Sequence, residues 1–127
     1  MFPSLGRSPI RPEKRWLTTV DPISYDADED LARERARKLW RWGVGGWKVN
    51  AELPDPEASD AYSATVTADD IASAVSCGPD VAAHVQAVKE YADAGFTHVA
   101  LVAVGAEQQA EFLSWSQKEL LPALREL

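Results

Sequence analysis

Apolar positions along the chain fall into short runs whose period switches between two and about three and a half. Trp16 to Val20 is aromatic and β-branched, which predicts a short strand stopping at Asp21-Pro22. Asp26 and Glu29 then have the spacing of a capping box, and Ala32, Ala36, Leu39 and Trp40 follow at i, i+4, i+7 and i+8. That pattern predicts an amphipathic helix, ended by Gly43, Gly45 and Gly46. Arg33, Arg35, Arg37, Lys38 and Arg41 occupy its other faces, as expected of a solvated surface. From Gly43 to Ser63 periodicity is lost among Glu52, Pro54, Asp55, Pro56, Glu57 and Asp60, so a long irregular connection is expected, of the kind that forms lids or binding segments.

In the second half, Thr67 with Asp70 predicts a capped short helix reaching about Ala74, and Val75-Ser76-Cys77 a very short strand. Gly78-Pro79-Asp80 reads as a turn into a helix from Pro79 to about Ala94, with Val81, Val85, Val88 and Ala92 on one face and Gly95 behind it. Phe96 to Val104 is apolar and β-branched throughout, the pattern of a strand buried on both faces in a parallel sheet. A final helix is expected from Ala106 to about Leu121. It would bury Ala110, Leu113, Leu120 and Leu121 with Phe112 and Trp115 beside them, and Pro122 would stop or kink it. Pro3, Pro9, Pro12 and Gly6 make residues 1–14 an irregular lead-in, leaving 15–127 as the folded domain. The alternation predicts an α/β fold with about three parallel strands and flanking helices, too few to close an eight-stranded barrel, which takes about 250 residues.

Composition narrows the class. The chain has 127 residues, 46% hydrophobic and 26% charged, the makeup of one globular unit. With 20 acidic against 13 basic residues its formal charge is −7, which excludes nucleic acid and an anionic membrane as main partners. The longest nearly apolar stretch, Val99 to Ala106, falls far short of the roughly 20 residues that span a bilayer as a helix. The first 15 residues carry Arg7, Arg11, Lys14 and Arg15 without an apolar core for a signal peptide, so a cytoplasmic location is expected. A lone cysteine, Cys77, excludes an internal disulfide, and with only two histidines no metal site is expected.

Chemistry in α/β folds concentrates where strands run into helices. Here those places are Cys77-Gly78-Pro79-Asp80 and Val104-Gly105-Ala106-Glu107. Glycine there lets a ligand approach the backbone, or simply makes a tight turn, and Asp80 and Glu107 favour their own helix starts over a bound anion. Cys77 sits where a thiolate is stabilised, but no histidine is near it in sequence, so a packing role is expected. His84 beside an apolar stripe and His98 inside an apolar run are expected to be structural. Lys48, the only cation between Arg41 and Lys89, is the candidate for a substrate phosphate or carboxylate. No residue is nominated as catalytic, since no nucleophile and base fall together.

Three segments carry a resemblance: Val75-Ser76-Cys77-Gly78-Pro79-Asp80, Glu90-Tyr91-Ala92-Asp93-Ala94-Gly95-Phe96-Thr97-His98-Val99, and Glu119-Leu120-Leu121-Pro122-Ala123-Leu124-Arg125. They resemble the C-terminal end of the luciferase-like oxidoreductases, nearest the branch that uses the deazaflavin coenzyme F-420 (F420) and includes the F420-dependent glucose-6-phosphate dehydrogenases. Asp26 to Trp40 and Glu52-Leu53-Pro54 fit the preceding segment. The resemblance implies the C-terminal portion of a (β/α)8 TIM barrel over residues 15–127, with F420 as cofactor. It also implies hydride transfer between the deazaflavin and an alcohol or sugar-phosphate type substrate. Lys48 falls near a phosphate-binding lysine of sugar-phosphate-using members, with no matching arginine near Ala72. Because the resemblance covers only the last third of such a barrel, a fragment inactive alone is expected. The alternative is a non-enzymatic α/β module that forms a homodimer or docks on a partner through exposed sheet edges.

Overall fold

Asp21-Pro22 does not end the first strand. The computed structural model describes residues 16–53 and 55–127, and the lead-in expected over 1–14 lies outside them. Within it β1 spans Thr18–Ser24, and proline is tolerated mid-strand because of where its nitrogen points. In a parallel ladder, alternate residues bond alternate neighbours. The Ile23 carbonyl accepts from Val104 N–H at 2.8 Å, and the Ser24 carbonyl accepts from Gly78 N–H at 2.9 Å. Pro22 shares the side of Ser24, where β2, Ser76–Cys77, begins only opposite Ile23. Its missing N–H therefore leaves no ladder bond unmade.

The sheet has three parallel strands in the order β2-β1-β3, where β3 is His98–Ala103. Neighbours in a closed barrel follow in sequence. In this sheet the two-residue β2 offers little pairing, and β3 pairs with β1 from Thr18↔His98 to Ile23↔Ala103. Different helices cover the two faces. Ile23 packs with Val81, Val85, Phe112, Trp115, Leu120 and Leu124, whereas Ala36, Ile71, Val75 and Val104 form a second cluster behind the face that carries Ser24 and Cys77.

Four helices precede β2. The first, α1, spans Glu29–Trp40 and is capped by Asp28, not Asp26, through Asp30 N–H at 2.9 Å and Leu31 N–H at 3.4 Å. Ala32 and Ala36 are its buried positions, while Leu39 is largely exposed. The expected irregular connection is instead helical: a 3-10 turn Arg41–Gly45, α2 Gly46–Glu52 and α3 Pro56–Ser63. Asp55 caps α3 by accepting from Ala58 N–H at 2.8 Å, and Pro56 sits at its start, so a proline read as a breaker works as a helix initiator. The Thr67–Asp70 capping box forms as expected and starts α4, Ala68–Ala72.

After β2, α5 spans Val81–Asp93 with Asp80 as its cap, so it begins two residues beyond Pro79. β3 is only half buried, because it is the edge strand and part of its surface has no cover; the expectation of burial on both faces fails for that reason. The last helical region divides into α6, Gln109–Trp115, a π-helical turn Ser116–Leu120, and α7, Leu121–Leu124. A widened turn immediately before Pro122 accommodates a ring that would clash with the preceding carbonyl and a nitrogen with no proton to donate. Phe112, Trp115 and Leu120 are buried, whereas Leu113 and Leu121, expected inside, are exposed.

Candidate functional site

The carboxyl ends of the strands gather both glycine turns, and α1 lies across them. Just past β1, Asp26 accepts Asp28 N–H at 3.0 Å on Oδ1 and pairs through Oδ2 with Arg35 at 2.7 Å. Arg35 also donates to the Tyr25 carbonyl at 2.9 Å, and the Tyr25 ring stacks on Trp115 with centroids 4.4 Å apart. Both charged side chains of the pair are mostly buried, at 17% and 14% exposure. The hydrogen bond from the Arg35 guanidinium holds the Asp26 carboxyl below its ordinary pKa. Ser24, fully buried, donates to the Ala32 carbonyl at 2.7 Å and ties α1 to the strand.

Gly78 and Gly105 have φ of 95° and 90°, a left-handed backbone that excludes most side chains. Side chains of α1 crowd both turns. A Cβ on Gly78 would lie 3.0 Å from Glu29 Cγ, and one on Gly105 would lie 2.9 Å from Arg35 Cδ. Glu29 is held in place by Arg33 at 2.6 Å, which also meets Asp69 of α4 at 3.0 Å. A cleft of about 440 Å³ lies at this end between α1 and the turn after β3, walled by Leu31, Arg35, Lys38 and Leu39 on one side and by Gly105, Ala106 and Glu107 on the other.

Burial pushes the Cys77 thiol up to about 11, and it donates to the Val75 carbonyl at 3.2 Å, the geometry of a packing residue. His84 is fully buried, edge-on to Trp115, and its Nε2 donates to the Gly78 carbonyl at 2.8 Å. Desolvation lowers its pKa, so the ring is neutral and braces the turn. His98 is exposed, stacks on Trp16 at 4.2 Å and lies 2.8 Å from Thr97 Oγ1. Lys48 is exposed on α2 and does not line the cleft.

Comparison with known proteins gives this arrangement relatives. No family model matches the chain. An F420-dependent glucose-6-phosphate dehydrogenase of Nocardia farcinica is 35% identical over 107 residues, covering 83% of this chain and 31% of that protein. An F420-dependent glucose-6-phosphate dehydrogenase 2 of Rhodococcus jostii is 31% identical over 134 aligned positions, covering all of this chain and 38% of its own length. The chain is related to the F420-dependent luciferase-like oxidoreductases. It spans about a third of the length of these curated relatives. The fold agrees: an F420-dependent secondary alcohol dehydrogenase in complex with an F420-acetone adduct superposes with a TM-score of 0.65 at 20% identity, over 90% of this chain and 34% of that one.

The relationship raises the question of a deazaflavin site. Glu29 crowds the Gly78 turn and Arg35 the Gly105 turn, while Gly105 keeps a face on the cleft beside Leu39. The N-terminus of α5 is satisfied by Asp80, which accepts from Ala82 N–H at 3.0 Å. Among the described residues no helix is long and apolar enough to cross a membrane.

One buried group escaped the sequence reading. Asp21, taken as part of a strand stop, is 3% exposed, its Oδ2 has no partner, and burial raises its carboxyl to about 6. The signal was an acidic residue inside a β-branched run, masked by the proline beside it.

Proposed function

We propose that residues 15–127 form the C-terminal part of a luciferase-like barrel whose chemistry is hydride transfer between coenzyme F420 and an alcohol or sugar-phosphate type substrate, and that the 127-residue chain does not perform it alone. The three-stranded sheet among the described residues carries this reading, because it is too small to close a barrel around a coenzyme, and side chains of α1 crowd the Gly78 and Gly105 turns. Its relationship to F420-dependent glucose-6-phosphate dehydrogenases supplies the substrate class. In this reading Lys48 offers a point charge to a substrate phosphate from the surface of α2, and the protein acts in the cytoplasm. Titrating F420 with the chain while following its fluorescence, with and without glucose 6-phosphate, tests the proposal. No saturable change and no turnover are expected. Saturable quenching with reduction of the deazaflavin by the isolated chain would overturn it.

A second reading, a non-enzymatic module that dimerises or docks on a partner, is favoured by apolar surface: Trp16 is 74% exposed, Leu113 62% and Leu31 57%. The outer edge of β3 adds unpaired backbone groups. Sedimentation separates the readings. A concentration-independent monomer would remove the second.

A further inference from the structure

At the opposite end of the sheet from the glycine turns, a cavity of about 390 Å³ opens between the middle of β1, the link from α4 to β2, and the last turns of α5. Its polar lining includes the Asp21 and Glu90 carboxylates and the Tyr91 side chain, and its apolar walls are Val75, Ala87 and Phe96. Among the described residues no basic side chain lines it. Asp21 is the decisive group. It is almost entirely buried in a strand position that its neighbours fill with apolar side chains, and its Oδ2 has no partner among the described residues. An unpaired buried carboxylate costs several kcal/mol, a cost relieved either by protonation or by a cation bound in the cavity. Burial and then the charges of Asp21 and Glu90 push the Tyr91 phenol up, which puts both carboxylates within electrostatic reach of that ring. The described residues place no third acidic, histidine or cysteine ligand with them to hold a metal ion. The Tyr91 and Phe96 rings meet edge to face at 5.9 Å beside the carboxylates, a surface that suits an organic cation.

We propose that this cavity binds a small organic cation, an alkylammonium or guanidinium group whose charge meets Asp21 and Glu90 and whose carbon atoms lie against Val75, Ala87 and Phe96. Such a group comes either from a free amine or from a Lys or Arg side chain of a docked polypeptide. The two sources share the same recognition, a positive charge with N–H donors.

The test is an NMR titration of the chain with ethylammonium, with guanidinium and with a blocked Gly-Lys-Gly peptide. Sodium and tetramethylammonium serve as controls at matched ionic strength, the latter having the charge without donors. Saturable shifts at the Ala87, Glu90 and Tyr91 amides with ethylammonium or guanidinium support a free-amine site. Saturation with the lysine peptide alone supports a side-chain source. Asp21→Asn is expected to weaken the response about tenfold, the effect of one lost charge-assisted contact. It should leave the fold intact, since it removes a buried charge. Glu90→Gln, on the exposed surface of α5, gives a smaller loss and serves as the second variant. Responses identical to sodium for all three probes, or an undiminished response in Asp21→Asn, would overturn the site.

Discussion

Two aspartates five positions apart, one inside β1 and one just past it, meet opposite fates. Asp26, past the carboxyl end of β1, is paired with Arg35 and backed by Asp28 N–H, and its carboxyl is held acidic. Asp21, in the middle of β1, has an Oδ2 with no partner among the described residues, and burial pushes its carboxyl up to about 6. In α/β folds the carboxyl ends of strands are where ligands are expected. In this chain the turns at that end are crowded and the Asp26 charge is matched from within. Asp21 carries the unmet charge. The physical difference is the reach of α1: its arginines and Glu29 lie over the turns, and no basic side chain among the described residues lines the cavity beside Asp21.

The largest effect should come from breaking the matched side. Arg35→Ala strips Asp26 and the Tyr25 carbonyl of their donor and uncovers Gly105. For a pair this buried a loss of about 3 kcal/mol is expected, between the values for exposed pairs and fully buried ones. Urea denaturation at neutral pH measures it, and a loss no larger than that of a surface arginine such as Arg37→Ala would show that the pair is not what holds α1 down. Acid should act in the same direction. The folded-state pKa of Asp26 is depressed, so the pair contributes stability above the ordinary carboxylate range, and that contribution disappears as pH falls through the folded value.

Asp21 predicts the reverse trend. Burial pushes its folded pKa up to about 6, above the ordinary carboxylate value, so folding takes up a proton, and stability falls as pH rises from the ordinary carboxylate range through about 6. Glu90 and Tyr91 of α5 face it, and the α4–β2 link contributes no titratable side chain to the cavity. Asp21→Asn should therefore be more stable than the parent by about 2 kcal/mol at about pH 8, with the gap closing at about pH 4. Thermal melts across that range check it. A pH-independent gap would mean the carboxylate has found a partner in solution.

How much of this was legible in the sequence follows from what each signal depends on. Local signals held: the Thr67–Asp70 capping box, the α5 helix with Gly95 behind it, and a very short β2 are all set by neighbours within a turn, although Ala92 of the expected α5 stripe is exposed and His84 is buried in its place. Signals that depend on a distant element did not. Pro22 reads as a stop until one knows that β2 starts only beside Ile23, so its nitrogen meets no carbonyl. Asp55-Pro56 reads as loop until the cap forms, and Phe112 with Trp115 displace Leu113 from the core because Ile23 and Tyr25 wait on that side. The candidate site was legible only as two glycine turns, since nothing local tells that Glu29 and Arg35 fold back over them, or that Asp21 lies against α5.

The smallest expected effect isolates that last point. Gly95 and Gly105 share a left-handed backbone, with φ of 102° and 90°, but a Cβ on Gly95 meets nothing within 4 Å, whereas on Gly105 it meets Arg35. Gly95→Ala should cost about 1 kcal/mol, the backbone penalty alone. Gly105→Ala should cost about 1 kcal/mol more, because Arg35 must shift and loosen its grip on Asp26. Combining Gly105→Ala with Arg35→Ala separates backbone from occupant. If the two losses add fully, the arginine does not seal the turn; if the second substitution costs less once the first is made, the side chain is what fills the place a ligand would take.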